Sequence, residues 1–294
     1  MHRHNGTADT IMVKAGIIYF SQTGNTEMVA YSISGRFLSE GIENMTFQLG
    51  EAGDFPEAYE DADMLGVGFP TFFGYPPPNV MKFIERLKPV AGKSAFVFTT
   101  YGGATAGDSL YDAAKGLADK GYRILGGLKI EASDNYPQSI MLKINEGRPN
   151  DADMAKGEEF ALKIMGAQHS GAVLDPRELA SRNPFFIKNR GRPRADTVNQ
   201  IRERIEGKII FNGEKCLFCD TCKKSCPTKS IETGETFPVF TWKCFDGMLC
   251  YQCVRVCPGK ALLVKYPLSN EDYRKFWNSI GDTKDEKANA FTVA

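Results

Sequence analysis

Cysteine is absent from the first 215 positions of this 294-residue chain, and all eight cysteines fall between Cys216 and Cys257. A disulfide framework belongs to short secreted domains. Here the first ten residues, MHRHNGTADT, lack the apolar core of a secretory signal. That polar stretch reads as a leader, with Met12 as an alternative start. No apolar run approaches the roughly 18 residues of a membrane span. Excess charge is lacking too: 36 Lys+Arg balance 36 Asp+Glu, which argues against a strongly basic nucleic-acid binder. Histidine is scarce. His2 and His4 lie in the leader and His169 in a linker-like stretch, so none is a candidate catalyst. Neither a GxxxxGKS/T phosphate loop nor a GxGxxG dinucleotide fingerprint occurs.

What is present divides in two. Residues 1–170 hold 15 Lys+Arg against 21 Asp+Glu, and residues 171–294 hold 21 against 15. This asymmetry suggests two modules and permits attraction between them. Across 15–130, short apolar runs (15–20, 45–50, 63–69, 93–100, 122–130) alternate with helical patterns at 26–40, 78–87 and 107–120, and another helix follows at 153–167. Such alternation predicts a parallel α/β sheet covered on both faces, and five strands fit the doubly wound order 2-1-3-4-5. The expected division is 12–170, a basic linker with a short helix at 171–207, a cysteine module at 208–268, and a C-terminal helix and tail at 269–294. The tail DTKDEKANAFTVA is expected to fray.

After the first strand, Ser21-Gln22-Thr23-Gly24-Asn25-Thr26 leads into a helix. The hydroxyls of Ser21, Thr23 and Thr26 can donate to phosphate oxygens, Gly24 lets the backbone approach, and the helix start offers unpaired N–H groups. The run YFSQTGNTEMVA resembles the FMN phosphate loop of flavodoxins, S/T-x-T-G-N-S/T, at all six positions. The resemblance implies that two further loops clamp the flavin ring: Pro70-Thr71-Phe72-Phe73-Gly74-Tyr75, and Thr100-Tyr101-Gly102-Gly103. Phe73 or Tyr75 would stack on one face and Tyr101 on the other, with Thr71 or the backbone at Gly74 bonding the polar edge. The acidic stretch that flavodoxins carry around the first of these loops is missing. Asp134-Asn135-Tyr136 suits the flavin rim, or equally a turn before Pro137.

Cys216, Cys219, Cys222 and Cys226, the last followed by Pro227, follow C-x2-C-x2-C-x3-C-P, the run of bacterial ferredoxins. In that pattern three thiolates reach one cubane and the fourth ligates the other cluster. The second run, Cys244, Cys250, Cys253 and Cys257, has three extra residues between its first two cysteines. The pairing assigns Cys216, Cys219, Cys222 and Cys257 to one [4Fe-4S] cluster and Cys226, Cys244, Cys250 and Cys253 to the other. The insertion 245–249 leaves a [3Fe-4S] second cluster as the alternative. The short strands entering and leaving each half give an α+β layout, with Ile231 and Leu262 expected over the clusters.

The chain as a whole resembles flavodoxin–ferredoxin fusion proteins of anaerobic microbes. The resemblance implies FMN, two [4Fe-4S] clusters, redox protein partners without nucleic acid, and a cytoplasmic setting, and leaves monomer and homodimer both open. It implies an electron carrier that couples one- and two-electron partners. A second reading is an FMN-dependent reductase of a small molecule fed by the clusters. A third, a redox-sensing regulator, would need the short basic run at 181–194 to bind nucleic acid.

Overall fold

The computed structural model describes residues 13–50, 57–241, 243–244, 249–281 and 291–294. The leader with Met12, insertion residues 245–248 and tail residues 282–290 lie outside the described residues.

Strands β1 (Lys14–Tyr19), β2 (Glu43–Gln48), β3 (Met64–Pro70), β4 (Ser94–Tyr101) and β5 (Arg123–Glu131) are parallel. They alternate with helices α1 (Asn25–Ser39), α2 (Glu57–Glu60), α3 (Pro78–Arg86) and α4 (Ser109–Asp119), and then come α5 (Pro137–Met141) and α6 (Asp151–Ser170). Their order is the expected 2-1-3-4-5. Successive strand residues face opposite sides, so a sheet covered twice buries continuous runs. In β1, Ile17 packs with α1 and α6 through Val29, Ile33, Phe37 and Phe160, while Ile18 packs with α3 and α4 through Val80, Ile84, Leu110 and Leu117.

Residues 171–207 are structured and packed. Leu174, Leu179, Phe186 and Val198 enter the α3–α4 side of the core, carried by a 3-10 turn (Pro176–Leu179), α7 (Pro184–Asn189) and α8 (Arg194–Ile205). The charge asymmetry becomes two specific pairs here. Arg190 Nη2 donates to buried Asp108 Oδ1 at 2.7 Å, and Arg194 pairs with buried Asp112. Two of the basic groups that a nucleic acid would need are thus engaged within the chain.

The cysteine module contains β6 (Lys208–Phe211), a 3-10 turn (Gly213–Lys215), α9 (Thr221–Lys224), β7 (Ile231–Glu232), β8 (Val239–Phe240), α10 (Gln252–Val256) and β9 (Leu262–Lys265). β6 pairs antiparallel with β9, and β7 with β8. Helix α11 (Asn270–Ser279) starts at Ser269, whose hydroxyl accepts from Asp272 N at 3.1 Å. The last residues of the tail, 291–294, correct the expectation of fraying. Phe291–Val293 form β10, antiparallel to β5 at Gly126–Leu128, because β5 would otherwise present an unpaired edge. No helix among the described residues is long and apolar enough to cross a membrane.

Candidate functional site

The α1 start is shaped to receive an anion. Gly24, its N-cap residue, has φ 88°, a left-handed conformation that glycine adopts without strain, and makes no side-chain cap bond. Gly24 N donates to Ser21 Oγ at 3.1 Å, which leaves the Ser21 hydroxyl hydrogen available. The Thr26 and Thr100 hydroxyls share a hydrogen bond at 2.8 Å, so that only one of the two protons remains to be donated elsewhere. The next loop is a tight turn between Phe72 and Tyr75, with Phe73 at φ 51° and Gly74 at φ 84°. A Cβ at Gly74 would meet the Phe186 ring at 2.3 Å, so glycine is required for contact as well as for conformation.

These loops surround a cavity at the carboxyl ends of the strands. Every residue expected to touch the flavin lines it except Gly24, Tyr75 and Gly103. Tyr75 is buried, with its ring edge-on to Phe186 at 5.7 Å. Tyr101 is on the wall, 4% exposed, with its hydroxyl 3.4 Å from Glu131 Oε1. Asp134 also lines the wall. Its Oδ1 accepts from Tyr136 N at 3.0 Å and its Oδ2 from Ser139 Oγ at 2.9 Å, and burial pushes its carboxyl upward. The mix of apolar rings, hydroxyls and helix-start N–H groups fits a phosphorylated flavin.

The roof of the cavity was not anticipated. Ile201 and Ile205 of α8, Tyr273, Trp277 and Ile280 from α11 and its end, and Leu249-Cys250-Tyr251 of the cysteine module close it. The hydrophobic spacing of α8 and α11 was visible in the sequence, but what those faces covered was not. Tyr136 anchors the junction: its ring lies 5.1 Å from Tyr251 and 5.4 Å from Tyr273, and its hydroxyl donates to Ile205 O. Tyr251 OH donates to Gly207 O at 2.7 Å.

Two smaller cavities lie in the cysteine module. One is lined by Cys216, Cys219, Cys222 and Cys257, with Leu262 on its wall. The other is lined by Cys226, Cys244, Cys250 and Cys253, with Ile231 on its wall. The two halves repeat in detail. Asp220 and Tyr251, each following the second cysteine of a set, both have φ 55°, and Lys229 and Lys260 have φ 51° and 49°. Ser230 N donates to Cys226 Sγ at 3.2 Å, and Ala261 N to Cys257 Sγ at 3.3 Å. Four sulfurs around each apolar cavity, with backbone N–H groups directed at sulfur, fit iron–sulfur ligation.

A flavodoxin domain model matches residues 16–117, and a 4Fe-4S dicluster domain model matches residues 208–258. An uncharacterized protein of Methanocaldococcus jannaschii is 28% identical over 156 residues, covering 52% of this chain and 99% of that protein. Ferredoxin YfhL of Escherichia coli is 30% identical over 71 residues, covering 23% of this chain and 83% of that ferredoxin. The solved structure of a flavodoxin from the domain Archaea superimposes with a TM-score of 0.43 at 18% identity, over 53% of this chain and 99% of that one. The flavodoxin domain implies FMN, the dicluster domain implies iron–sulfur clusters, and together they support a role in electron transfer. The chain thus belongs with the flavodoxin–ferredoxin fusions, its flavodoxin domain preceding its 4Fe-4S ferredoxin domain.

Proposed function

We propose that this protein relays electrons between two [4Fe-4S] clusters and FMN within one chain, coupling one-electron to two-electron redox partners in the cytoplasm. Bound FMN would exchange one or two electrons, and each cluster one. Ser21–Thr26 hold the phosphate, and the loops 70–75, 100–103 and 134–136 hold the ring. Cys216, Cys219, Cys222 and Cys257 hold the outer cluster, and Cys226, Cys244, Cys250 and Cys253 the flavin-side cluster.

The observation that carries this reading is Cys250, which lines both the flavin cavity and one four-cysteine cavity. A cluster ligand on that shared wall would bring a cluster-bound sulfur to the edge of the flavin site. At the opposite side, Cys219 is exposed beside Leu217 and Phe218, which are 63% and 61% exposed. That surface suits the approach of a protein redox partner.

The test begins with anaerobic purification and quantification of iron, sulfide and flavin. A fast one-electron reductant is then mixed with the oxidised protein. Flavin reduction following cluster reduction at a rate independent of protein concentration supports the relay. A rate rising linearly with concentration means transfer between molecules and removes it.

A further inference from the structure

The two halves of the cysteine module share a backbone but not a covering. Asp220 and Tyr251 stand before α9 and α10 at φ 55°, with ψ 8° and 9°. Lys224 N donates to Asp220 O at 2.9 Å, and Arg255 N donates to Tyr251 O at 3.1 Å. By this internal repeat, Phe218-Cys219-Asp220 of the outer half corresponds to Leu249-Cys250-Tyr251 of the inner half. The inner segment is an occupied docking face. Asn135 Nδ2 donates to Cys250 O at 2.6 Å, Leu249 N donates to Glu206 Oε1 at 3.1 Å, and the buried Tyr251 ring meets that of Tyr136.

The outer segment has no such cover among the described residues. Leu217, Phe218 and Cys219 are exposed, and Cys219 O accepts no hydrogen bond from the described residues. Phe218 keeps its ring at the surface at φ 52°, a conformation unfavourable for a bulky residue. The ring stacks on Phe237 with centroids 5.3 Å apart, and Phe237 lies 5.5 Å from Phe211. An apolar platform beside an exposed ligand sulfur has the character of an interface core. The surrounding charge says which partner fits it. Residues 208–268 hold nine Lys+Arg against five Asp+Glu. Lys215 precedes the segment, Lys224 ends α9 behind it, and Lys260 follows Gly259, on which Leu217 packs; all three lysines are exposed. Asp220, the carboxylate of the segment itself, is half-buried. Such a net positive surround attracts an acidic partner and disfavours a basic one.

We propose that Leu217-Phe218-Cys219 is the docking face for a separate acidic one-electron redox protein, which covers it as the flavodoxin domain covers Leu249-Cys250-Tyr251. The partner supplies an apolar patch to Phe218, acidic groups to the lysines, and an N–H donor to Cys219 O in the place that Asn135 fills for Cys250. The exchange moves one electron from the partner's reduced centre to the outer cluster, with no bond formed or broken and no proton transferred. The internal repeat thus gives the module two equivalent faces, one spent on the flavodoxin domain and one kept for a partner. This inference deepens the relay reading and rests on it for the purpose of the exchange, while the docking itself is measured at the clusters alone.

The experiment follows cluster reduction in the intact, cluster-loaded protein by stopped flow, with two reductants: a reduced plant-type [2Fe-2S] ferredoxin, as the acidic protein probe, and a viologen radical, which is too small to need a docking face. With the ferredoxin, the wild type should react about ten-fold faster at about 0.01 M salt than at about 0.15 M. Phe218→Asn, in which asparagine tolerates the positive φ, and Leu217→Gln should each slow the ferredoxin reaction about five- to ten-fold at unchanged iron and sulfide content. Lys224→Glu should slow it at low salt and flatten the salt dependence. The viologen radical should reduce every variant at the wild-type rate. A ferredoxin rate that does not fall with salt, or that survives in both Phe218→Asn and Leu217→Gln, overturns the inference. Equal slowing with both reductants also overturns it, because Phe218 and Leu217 would then act on the cluster and not on docking. So does a wild-type dimer in sedimentation that Phe218→Asn converts to monomer, which would give the face to a second copy of the chain. Failure of the relay shows separately, as concentration-dependent flavin reduction in the wild type, whatever the docking rates give.

Discussion

Asn135 and Cys250, 115 positions apart, are joined by a hydrogen bond of 2.6 Å from the asparagine amide to the cysteine carbonyl. Cys250 is thereby held by its main chain to the loop after β5, beside the cavity its other face lines. Replacing Asn135 with Leu removes the donor while keeping similar volume. The expected cost is about 1–3 kcal/mol of docking. Hydrogen exchange at 249–251 should rise and flavin reduction should slow, with the iron content held. Exchange at wild-type levels would mean that the tyrosine junction alone keeps the domains together.

The phosphate loop predicts graded losses. Thr23→Ala removes one donor to a doubly charged phosphate, worth about 1.5–3 kcal/mol, or roughly 10- to 150-fold in FMN Kd. Ser21→Ala should cost more, because Ser21 Oγ also accepts from Gly24 N and so shapes the loop. Flavin fluorescence titration of the stripped protein measures both. Equal affinity in the wild type and Thr23→Ala would remove Thr23 from the phosphate site.

Ligand crossing is testable at Cys226. It follows Cys222 by four positions, yet it lines the cavity of Cys244, Cys250 and Cys253. Cys226→Ala should therefore degrade the flavin-side cluster and spare the outer one. Spectra showing the outer cluster lost first would reject the pairing.

A pH effect resides at Asp112. Its Oδ1 faces Arg194, its Oδ2 is buried without a partner, and burial pushes the carboxyl from 3.8 up to about 7 against the opposing pull of Arg194. The folded protein then holds a proton that the unfolded chain has released. This contribution to stability is fully present below pH about 4 and is lost as pH rises through about 7, with a slope of at most about 1.4 kcal/mol per pH unit. Asp112→Asn should flatten the fall of Tm between pH 5.5 and 7.5, where the clusters can be kept intact. Parallel Tm curves for the variant and wild type would show that Arg194 keeps Asp112 ionised.

Parts of the molecule were legible because they obey local rules. The strand order fits the alternating apolar runs, and Cys257 lines one cavity with Cys216, Cys219 and Cys222, the grouping that the cysteine spacing suggests. Tyr75 shows where local reading stops. Its place after β3 suggested a flavin contact, but the turn at Phe73-Gly74 directs its ring onto Phe186. The roof was illegible for the same reason. Tyr273 and Ile205 lie on the apolar faces of short helices, and only tertiary packing brings them over the loops that carry Thr23, Thr71 and Tyr101.

The C-terminal strand gives the last prediction. β10 hydrogen-bonds to β5 through Gly126–Leu128, Ala294 N donates to Leu125 O at 3.0 Å, and the Phe291 ring lies 5.9 Å from that of Phe160 in the core. Helix α11 precedes it and supplies Tyr273 and Trp277 to the flavin cavity, with Tyr273 OH and Ser139 Oγ sharing a hydrogen bond at 2.8 Å. The roof helix is held at Ser139 by its own side chain, and the strand that follows it in sequence is held at β5. Deleting 291–294 removes the second hold and bares the β5 edge, while burial of Phe291 contributes up to about 1.5–3 kcal/mol. FMN dissociation should accelerate, because the roof opens more often, and amides of β5 should exchange faster. Tyr273→Phe, which breaks the first hold at a cost of about 1 kcal/mol, should add to the effect if the two act independently. Unaltered FMN dissociation in the deletion variant would show that α11 keeps its place without the strand and that β10 serves the sheet edge alone.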